Sequence, residues 1–445
     1  MFRPSVQRGL FRYLRVWPAA PSPAAAVIWR MDLGDLVVTT GQLPDVAPEI
    51  IDNLNDYAQR AKGAYAAATE KAINSDTAIW SAWCAINKHT SLPAKPLVLA
   101  SYIDELANID PDTGKKRGKP KRKPKTIERY ISSIAHLHRA AGLPSPASAE
   151  VVRLALRRMR NQHRGRPRQT DPLGEANIDT IITSIQQGRG GEPLAVVDHR
   201  DIAMLLVMRD TLCRASEICA LEWSGYHRDR DGSGTILVPY SKTDQSGEGD
   251  VRWISPAAVD ALRRWRDAHD RRLKELEDGE QQRYDDAMEI YQRQMIAWAQ
   301  LQEYHEAIKR REQGNPAAKA QPLPKRPHGR PLAKEPMPPR PIEWVPSTHI
   351  FRPVDERGED GWPQQMDTHA VIYAVQRRCA AAGLGEGRWT AHSTRVGAVQ
   401  DLIAAGADLP SVMQAGGWKS AAMPARYGER LLAKRGAVAK MRSAK

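Results

Sequence analysis

The chain has 445 residues, with 66 Lys and Arg against 52 Asp and Glu, a formal charge of +14 and a pI near 9.6. That length exceeds one ordinary hydrophobic core, so two domains are expected. The charge favours a polyanionic partner, nucleic acid before an acidic membrane surface. No stretch of about 18–20 apolar residues is present to span a membrane. Cys84, Cys213, Cys219 and Cys379 are scattered and form no C-x-x-C pair, which argues against a disulfide framework or structural zinc and suits a reducing interior.

Residues 1–47 read as a disordered leader, of which residues 1–30, holding Arg, Pro and Ala but no acid, are either disordered or an over-extended start. The apolar part, Ala24 to Trp29, is too short and too Pro-flanked for a secretory signal. From 48 to 162 the pattern is helical. Ile50, Leu54 and Tyr57 recur at spacings of three and four, as do Ile79, Trp83 and Ile86, then Ile127, Ile131, Ile134 and Leu137. Pro93 and Pro96 separate the second helix from a third, Leu97 to Ala107.

A cationic loop follows, carrying Lys115, Lys116, Arg117, Lys121, Arg122, Lys123 and Lys125, with Arg129 on the next helix. It reads equally as a solvated loop and as a track along a phosphate backbone. After a basic helix, Val151 to Arg160, residues 163–172 lack apolar periodicity and form the expected interdomain linker. Its Arg164, Arg166 and Arg168 are further candidates for contact with a duplex.

The second domain, 173–445, opens with helical patterns at Ile178 to Gln187 and His199 to Thr211. In TLCRASEICALEW, Arg214 and Glu217 lie three apart, a spacing suited to an ion pair or a shared site. Alternation around Ile236 and Val238, a Gly-rich turn after Lys242, and resumption at Val251 and Trp253 predict a β-hairpin or short meander. Residues 267–341 read as an insertion, first charged and helical, then Pro-rich. A stripe from Tyr284 through Met288, Tyr291, Met295, Trp298, Leu301 and Tyr304 to Ile308 suits a helical hairpin or coiled coil bent near Gly279. That stripe either closes on itself, the favoured reading, or meets another protomer.

The final part holds the densest chemistry. Thr390 is placed to cap a helix bearing His392 and Arg395 on one face and ending at Gly406. Trp418 follows two glycines, and Tyr427 lies nine residues beyond it. Singly, these are a capping histidine, a packing indole and a half-buried phenol. Together with Arg214 and Lys242 they suit one use, attack on a phosphodiester. Arginine forks grip its non-bridging oxygens, a phenol becomes the nucleophile once its proton is removed, and a Lys or His protonates the leaving oxygen. No acidic cluster of metal-binding type accompanies these residues in the sequence, so charge neutralisation falls to the side chains.

TLCRASEICALEW, SKTD, AHSTRVGA, MQAGGWKS and ARYGER resemble the five signature boxes of the tyrosine recombinases, or phage-integrase family. In the first domain, WSAWCAIN and SIAHLHRAAGLPSPASAEVVRLALRRMR resemble DNA-clamping helices of that family, and the likeness spans 48–265 and 345–435. It implies a multidomain protein: an all-α, SAM-like core-binding domain, then a mainly α catalytic domain with a small β-sheet, the DNA breaking-rejoining fold.

By the same resemblance, Arg214 and Arg395 hold the scissile phosphate, His392 assists proton transfer, and Trp418 donates its indole N–H. Lys242 protonates the leaving 5′ oxygen, Glu217 braces the site, and Tyr427 forms a 3′-phosphotyrosyl link without metal, ATP or cofactor. The implied partners are duplex DNA with short inverted repeats and three further copies in a homotetramer; the implied setting is bacterial cytoplasm or nucleoid. A type IB topoisomerase or telomere resolvase, and a catalytically silent DNA-binding regulator, are the alternatives. The sequence departs from the pattern at the 267–341 insertion, in the shortness of the region before 48, which leaves no separate arm-binding domain, and at Pro424. That proline is expected to start the tyrosine helix or precede it.

Overall fold

The computed structural model describes residues 47–166, 168–239, 248–314, 316–320, 322–325, 337–338, 348–354, 365–385 and 387–443. The leader at 1–46, Lys242 and most of the Pro-rich stretch to 341 lie outside the described residues. Contacts divide the chain into two compact units, Met1–Pro167 and Arg168–Lys445.

The described part of the first unit is built from α1 (Pro48–Arg60), α2 (Ala67–Ile86), α3 (Pro96–Ala107), α4 (Pro124–Ala140) and α5 (Glu150–Gln162). Proline opens α1, α3 and α4, where its missing N–H has no helical partner to lose. Trp80, Trp83 and Tyr102 pack at the centre, with the two indoles stacked at 5.6 Å between ring centroids. Each indole N–H has an acceptor, Ser91 O at 2.9 Å and Glu105 Oε2 at 2.7 Å, as buried tryptophans require. The cationic segment between α3 and α4 is not an open loop. Ile109 bridges Lys116, and Arg117 N donates to Asn108 O at 2.8 Å.

The second unit runs through α6 (Glu175–Gln187), α7 (Val196–Thr211), α8 (Ala215–Cys219), β1 (Tyr226–Arg228), β2 (Gly234–Val238), β3 (Asp250–Ile254) and α9 (Pro256–Glu312). It continues through α10 (Pro316–Ala320), α11 (Thr368–Ala381), α12 (Ala391–Ala405), α13 (Leu409–Gly416), α14 (Ala422–Tyr427), α15 (Glu429–Lys434) and α16 (Ala437–Ser443). The strands form an antiparallel sheet in the order β1-β2-β3, with Ile236 opposite Arg252. Met204, Leu205 and Met208 of α7 share one core with Ile236, Ile254, Leu262 and Trp265. A smaller cluster gathers Leu212, Val396, Val399, Ile403, Val412, Trp418 and Tyr427. The site described below is therefore part of a packed layer.

The helical hairpin expected to turn near Gly279 does not form, since the helix is unbroken there. α9 is one helix of 57 residues that runs through Gly279. One glycine costs a helix only about 1 kcal/mol, and side-chain pairs four apart support this one: Gln281 with Asp285, Gln282 with Asp286, Arg293 with Glu289, Arg310 with Glu306. Its buried residues are Ala258, Val259, Ala261, Leu262, Trp265, Ala268 and His269, then only Leu301. The stripe from Tyr284 to Ile308 is otherwise half-buried. Beyond the insertion the chain rejoins the core, where Trp265 Nε1 donates to Ile350 O at 2.7 Å and Ile350 N to Leu221 O at 2.8 Å. Among the described residues, no helix is long and apolar enough to cross a membrane.

Candidate active site

α12 supplies the centre of the site. Thr390 Oγ1 accepts from His392 N at 3.1 Å, so the helix starts where the sequence places its cap. Gly406 ends it with a positive φ of 103°. His392 and Arg395 fall one turn apart, both reaching the layer formed with α7, α13 and α14.

Arg395 is 1% exposed. Its Nη1 donates to the carbonyl of Leu212, and its Nη2 to that of Gly416 at 2.7 Å. Leu212 turns its carbonyl toward this arginine in a left-handed conformation, φ 52°, at a cost of about 1 kcal/mol for a residue with a side chain. The guanidinium also lies over Trp418, 3.9 Å from the ring centroid. Burial, then Arg214, push the Arg395 pKa down to about 10, so it remains a cation at neutral pH.

Trp418 is delivered by the end of α13. Gly417 adopts φ 62°, and Trp418 N donates back to Met413 O at 2.9 Å, closing the helix in the way glycine permits. Arg214 stands just before α8. Glu217, 2% exposed, accepts from Arg214 N at 2.9 Å through Oε2, while its Oε1 accepts from Arg214 Nη1. The same carboxylate lies 3.9 Å from Arg395 Nη1.

Tyr427 is the last residue of α14 and is 8% exposed. Its hydroxyl lies 2.9 Å from His392 Nε2, and its ring meets Trp418 edge-on at 6.1 Å. Gln400 Nε2 donates to its backbone carbonyl at 3.0 Å. The expectation for Pro424 needs correction. α14 begins at Ala422, ahead of the proline, which occupies the third helical position. First-turn N–H groups have no intrahelical acceptor, so proline removes nothing there.

Burial, then Arg395 and Arg214, hold the His392 pKa below its usual value, so the imidazole is neutral at pH 7. Burial raises the Tyr427 pKa although Arg395, Arg214 and Arg426 pull it down. A protonated phenol thus faces a neutral imidazole with two guanidinium groups nearby, the arrangement required for a nucleophile activated by a base.

Six sequence-predicted residues, Arg214, Glu217, His392, Arg395, Trp418 and Tyr427, converge here; Lys242 lies outside the described residues. Sequence reasoning missed Arg252 on β3, which is 4% exposed. It donates to Thr211 O at 2.6 Å and Asp250 Oδ2 at 3.0 Å, and stands 3.9 Å from Glu217 Oε2. The available signal was strand alternation, since Arg252 shares the face of buried Ile254.

The candidate DNA-contact residues Lys115, Lys116, Arg117, Lys121, Arg122, Lys123, Lys125, Arg129, Arg164, Arg166 and Arg168 are all exposed. Several are already paired: Arg117 with Asp110 at 3.1 Å, Lys121 with Glu105 at 2.8 Å, Lys125 with Glu128 at 2.8 Å and Arg129 with Asp76 at 3.0 Å. Among the described residues, no group of three or more His, Cys, Asp or Glu side chains is placed to hold a metal ion.

No protein-family model matches the chain. It is 24% identical over 396 residues to the recombinase Cre of Escherichia phage P1, covering 88% of this chain and 92% of that protein. It is 27% identical over 208 residues to an integrase/recombinase XerD homologue of Selenomonas ruminantium, covering 45% of this chain and 55% of that one. Among solved structures, it resembles the XerH recombinase on a palindromic difH substrate at 14% identity and TM-score 0.43, covering 82% of this chain and 77% of that one. It also resembles the Tn1549 transposon integrase with circular-intermediate DNA at 13% identity and TM-score 0.44, covering 86% and 99%. In sequence, the chain is thus similar over 88% of its length to a phage recombinase and over 45% of its length to an integrase/recombinase homologue.

Proposed function

We propose that the protein cleaves and rejoins duplex DNA at specific sites through a covalent link to Tyr427, exchanging strands within a tetramer on two sites with short inverted repeats. The Tyr427 oxygen attacks phosphorus as His392 takes its proton. A tyrosyl O–P bond forms, the bond to the 5′ oxygen breaks, and that oxygen leaves as a hydroxyl protonated by Lys242. Arg214, Arg395 and the Trp418 N–H bear the charge that grows on the non-bridging oxygens. The 3′-phosphotyrosyl ester conserves the bond energy, so a 5′ hydroxyl from another strand reverses the step without a nucleotide cofactor.

The observation carrying this reading is the 2.9 Å contact between His392 Nε2 and the Tyr427 hydroxyl, beside the buried Arg395 and Trp418. The test uses a nicked duplex bearing the site that the protein itself selects from a random DNA pool; the nick lets the short 5′-hydroxyl fragment escape. The parent protein is expected to become covalently trapped. Tyr427→Phe is expected to bind the duplex with affinity within about twofold and to form no adduct. An adduct on Tyr427→Phe refutes the nucleophile assignment.

A further inference from the structure

Strand β3 carries a charge where its alternation calls for an apolar residue. Val251 and Trp253 are 58% and 56% exposed, while Arg252 between them is 4% exposed. A buried guanidinium is tolerated only when its donors are matched. Here they are matched by groups from separate elements. Nη1 donates to Thr211 O at 2.6 Å and lies 3.6 Å from Cys213 Sγ, Nε donates to Asp250 Oδ2 at 3.0 Å, and Nη1 faces Glu217 Oε2 at 3.9 Å. The turn before Trp418 rests on the same group, since a Cβ at Gly417 would meet Arg252 Nη2 at 2.6 Å and Asp250 Oδ2 at 2.9 Å.

Arg252 thus touches the chain leading into Arg214, the carboxylate that binds Arg214, and the turn that delivers Trp418. The charge balance gives this placement a consequence. Within this contacting set, Arg214, Arg252 and Arg395 set three positive charges against the two carboxylates of Glu217 and Asp250, a net positive balance that favours a phosphodiester. Without Arg252, the carboxylates of Glu217 and Asp250 cancel the charges of Arg214 and Arg395 within this set.

We propose that Arg252 is a positioning residue for phosphodiester transfer, offsetting the charge of the Glu217 and Asp250 carboxylates so that Arg214 and Arg395 keep a net charge for the scissile phosphate, and flooring the Trp418 turn. This rests on the strand-transfer reading above. It assigns Arg252 no contact with DNA.

The test compares single-turnover trapping on two nicked duplexes, one with an ordinary scissile phosphate and one with a methylphosphonate there, whose linkage is neutral. Arg252→Met is expected to slow trapping on the phosphate by about 100-fold, within the range for losing one oxyanion partner. On the neutral linkage, which needs no surplus charge, it is expected to match the parent within about threefold. Arg252→Lys keeps the charge and is expected to retain the parent's rate on the phosphate within about tenfold. It carries the test if the methionine variant fails to fold. Equal slowing of Arg252→Met on both duplexes shows a merely structural role and overturns the proposal. So does an unchanged rate on the phosphate, or an Arg252→Lys protein that loses the phosphate reaction alone. A parent protein that forms no adduct on the phosphate duplex instead defeats the strand-transfer reading itself.

Discussion

The hydroxyl of Tyr427 and Nε2 of His392 lie 2.9 Å apart, with the imidazole pKa depressed and the phenol pKa raised. Each group therefore holds its neutral form at pH 7, and transfer between them is downhill only as the phenol becomes bonded to phosphorus. Cleavage is expected to be flat from pH 7 to 8 and to decline only below the ordinary histidine value of 6.5, as His392 takes up a proton. In His392→Ala this acid limb should vanish along with about 10²-fold or more of the rate. Single-turnover trapping rates against pH measure both. The same depressed pKa makes stability from this group complete above 6.5 and progressively lost as pH falls toward the folded value, because the unfolded chain then binds the proton first.

Arg395→Lys tests whether charge alone suffices. The guanidinium bonds the carbonyls of Leu212 and Gly416 while lying over Trp418, which an ammonium cannot do at once. Trapping is expected to fall by about 10²–10³-fold and the unfolding midpoint to drop, read by denaturant titration alongside the cleavage assay.

Gly397 offers a stability prediction of unusual sign. Gly→Ala inside a helix ordinarily gains up to about 1 kcal/mol, yet a Cβ here would lie 2.2 Å from the carbonyl of Leu173. Backbone pressed against backbone has no side chain to yield, so Gly397→Ala is expected to destabilise by about 1–3 kcal/mol. Urea unfolding of the full chain checks this.

The outer part of α9 is expected to be dispensable for cleavage. Its core contacts end at His269 apart from Leu301, so a cut at the expected insertion boundary of 267 would remove buried Ala268 and His269. Replacing residues 275–341 by a short flexible linker spares them. The shortened protein is expected to form the covalent adduct at a rate within about tenfold of the parent. A folded but inactive product would contradict this.

What was legible from sequence is local. The cap at Thr390, the glycine stop at Gly406 and the three-residue spacing of His392 and Arg395 are short-range signals, and each holds in the structure. The two glycines before Trp418 are a local signal too, and Gly417 closes α13 in the structure. The continuity of α9 was hidden, because a glycine in a charged helix looks like a break unless the many pairs around it are weighed together. Arg252 was hidden for another reason. An arginine on a strand reads as a solvent-facing residue, and its partners Thr211, Glu217 and Gly417 are far away in the chain. Pro424 was misjudged because proline's effect depends on its position within a helix, which spacing alone does not reveal.

The central claim is that Tyr427 becomes joined to the 3′ side of a cut DNA strand. The measurement that meets it most directly is mass spectrometry of the protease-digested covalent complex, coupled to labelling of the released DNA end with polynucleotide kinase. The account predicts a nucleotide on the peptide containing Tyr427 and a released end that accepts phosphate because it carries a free 5′ hydroxyl. An adduct on any other residue, or a released end already bearing a 5′ phosphate, would contradict it.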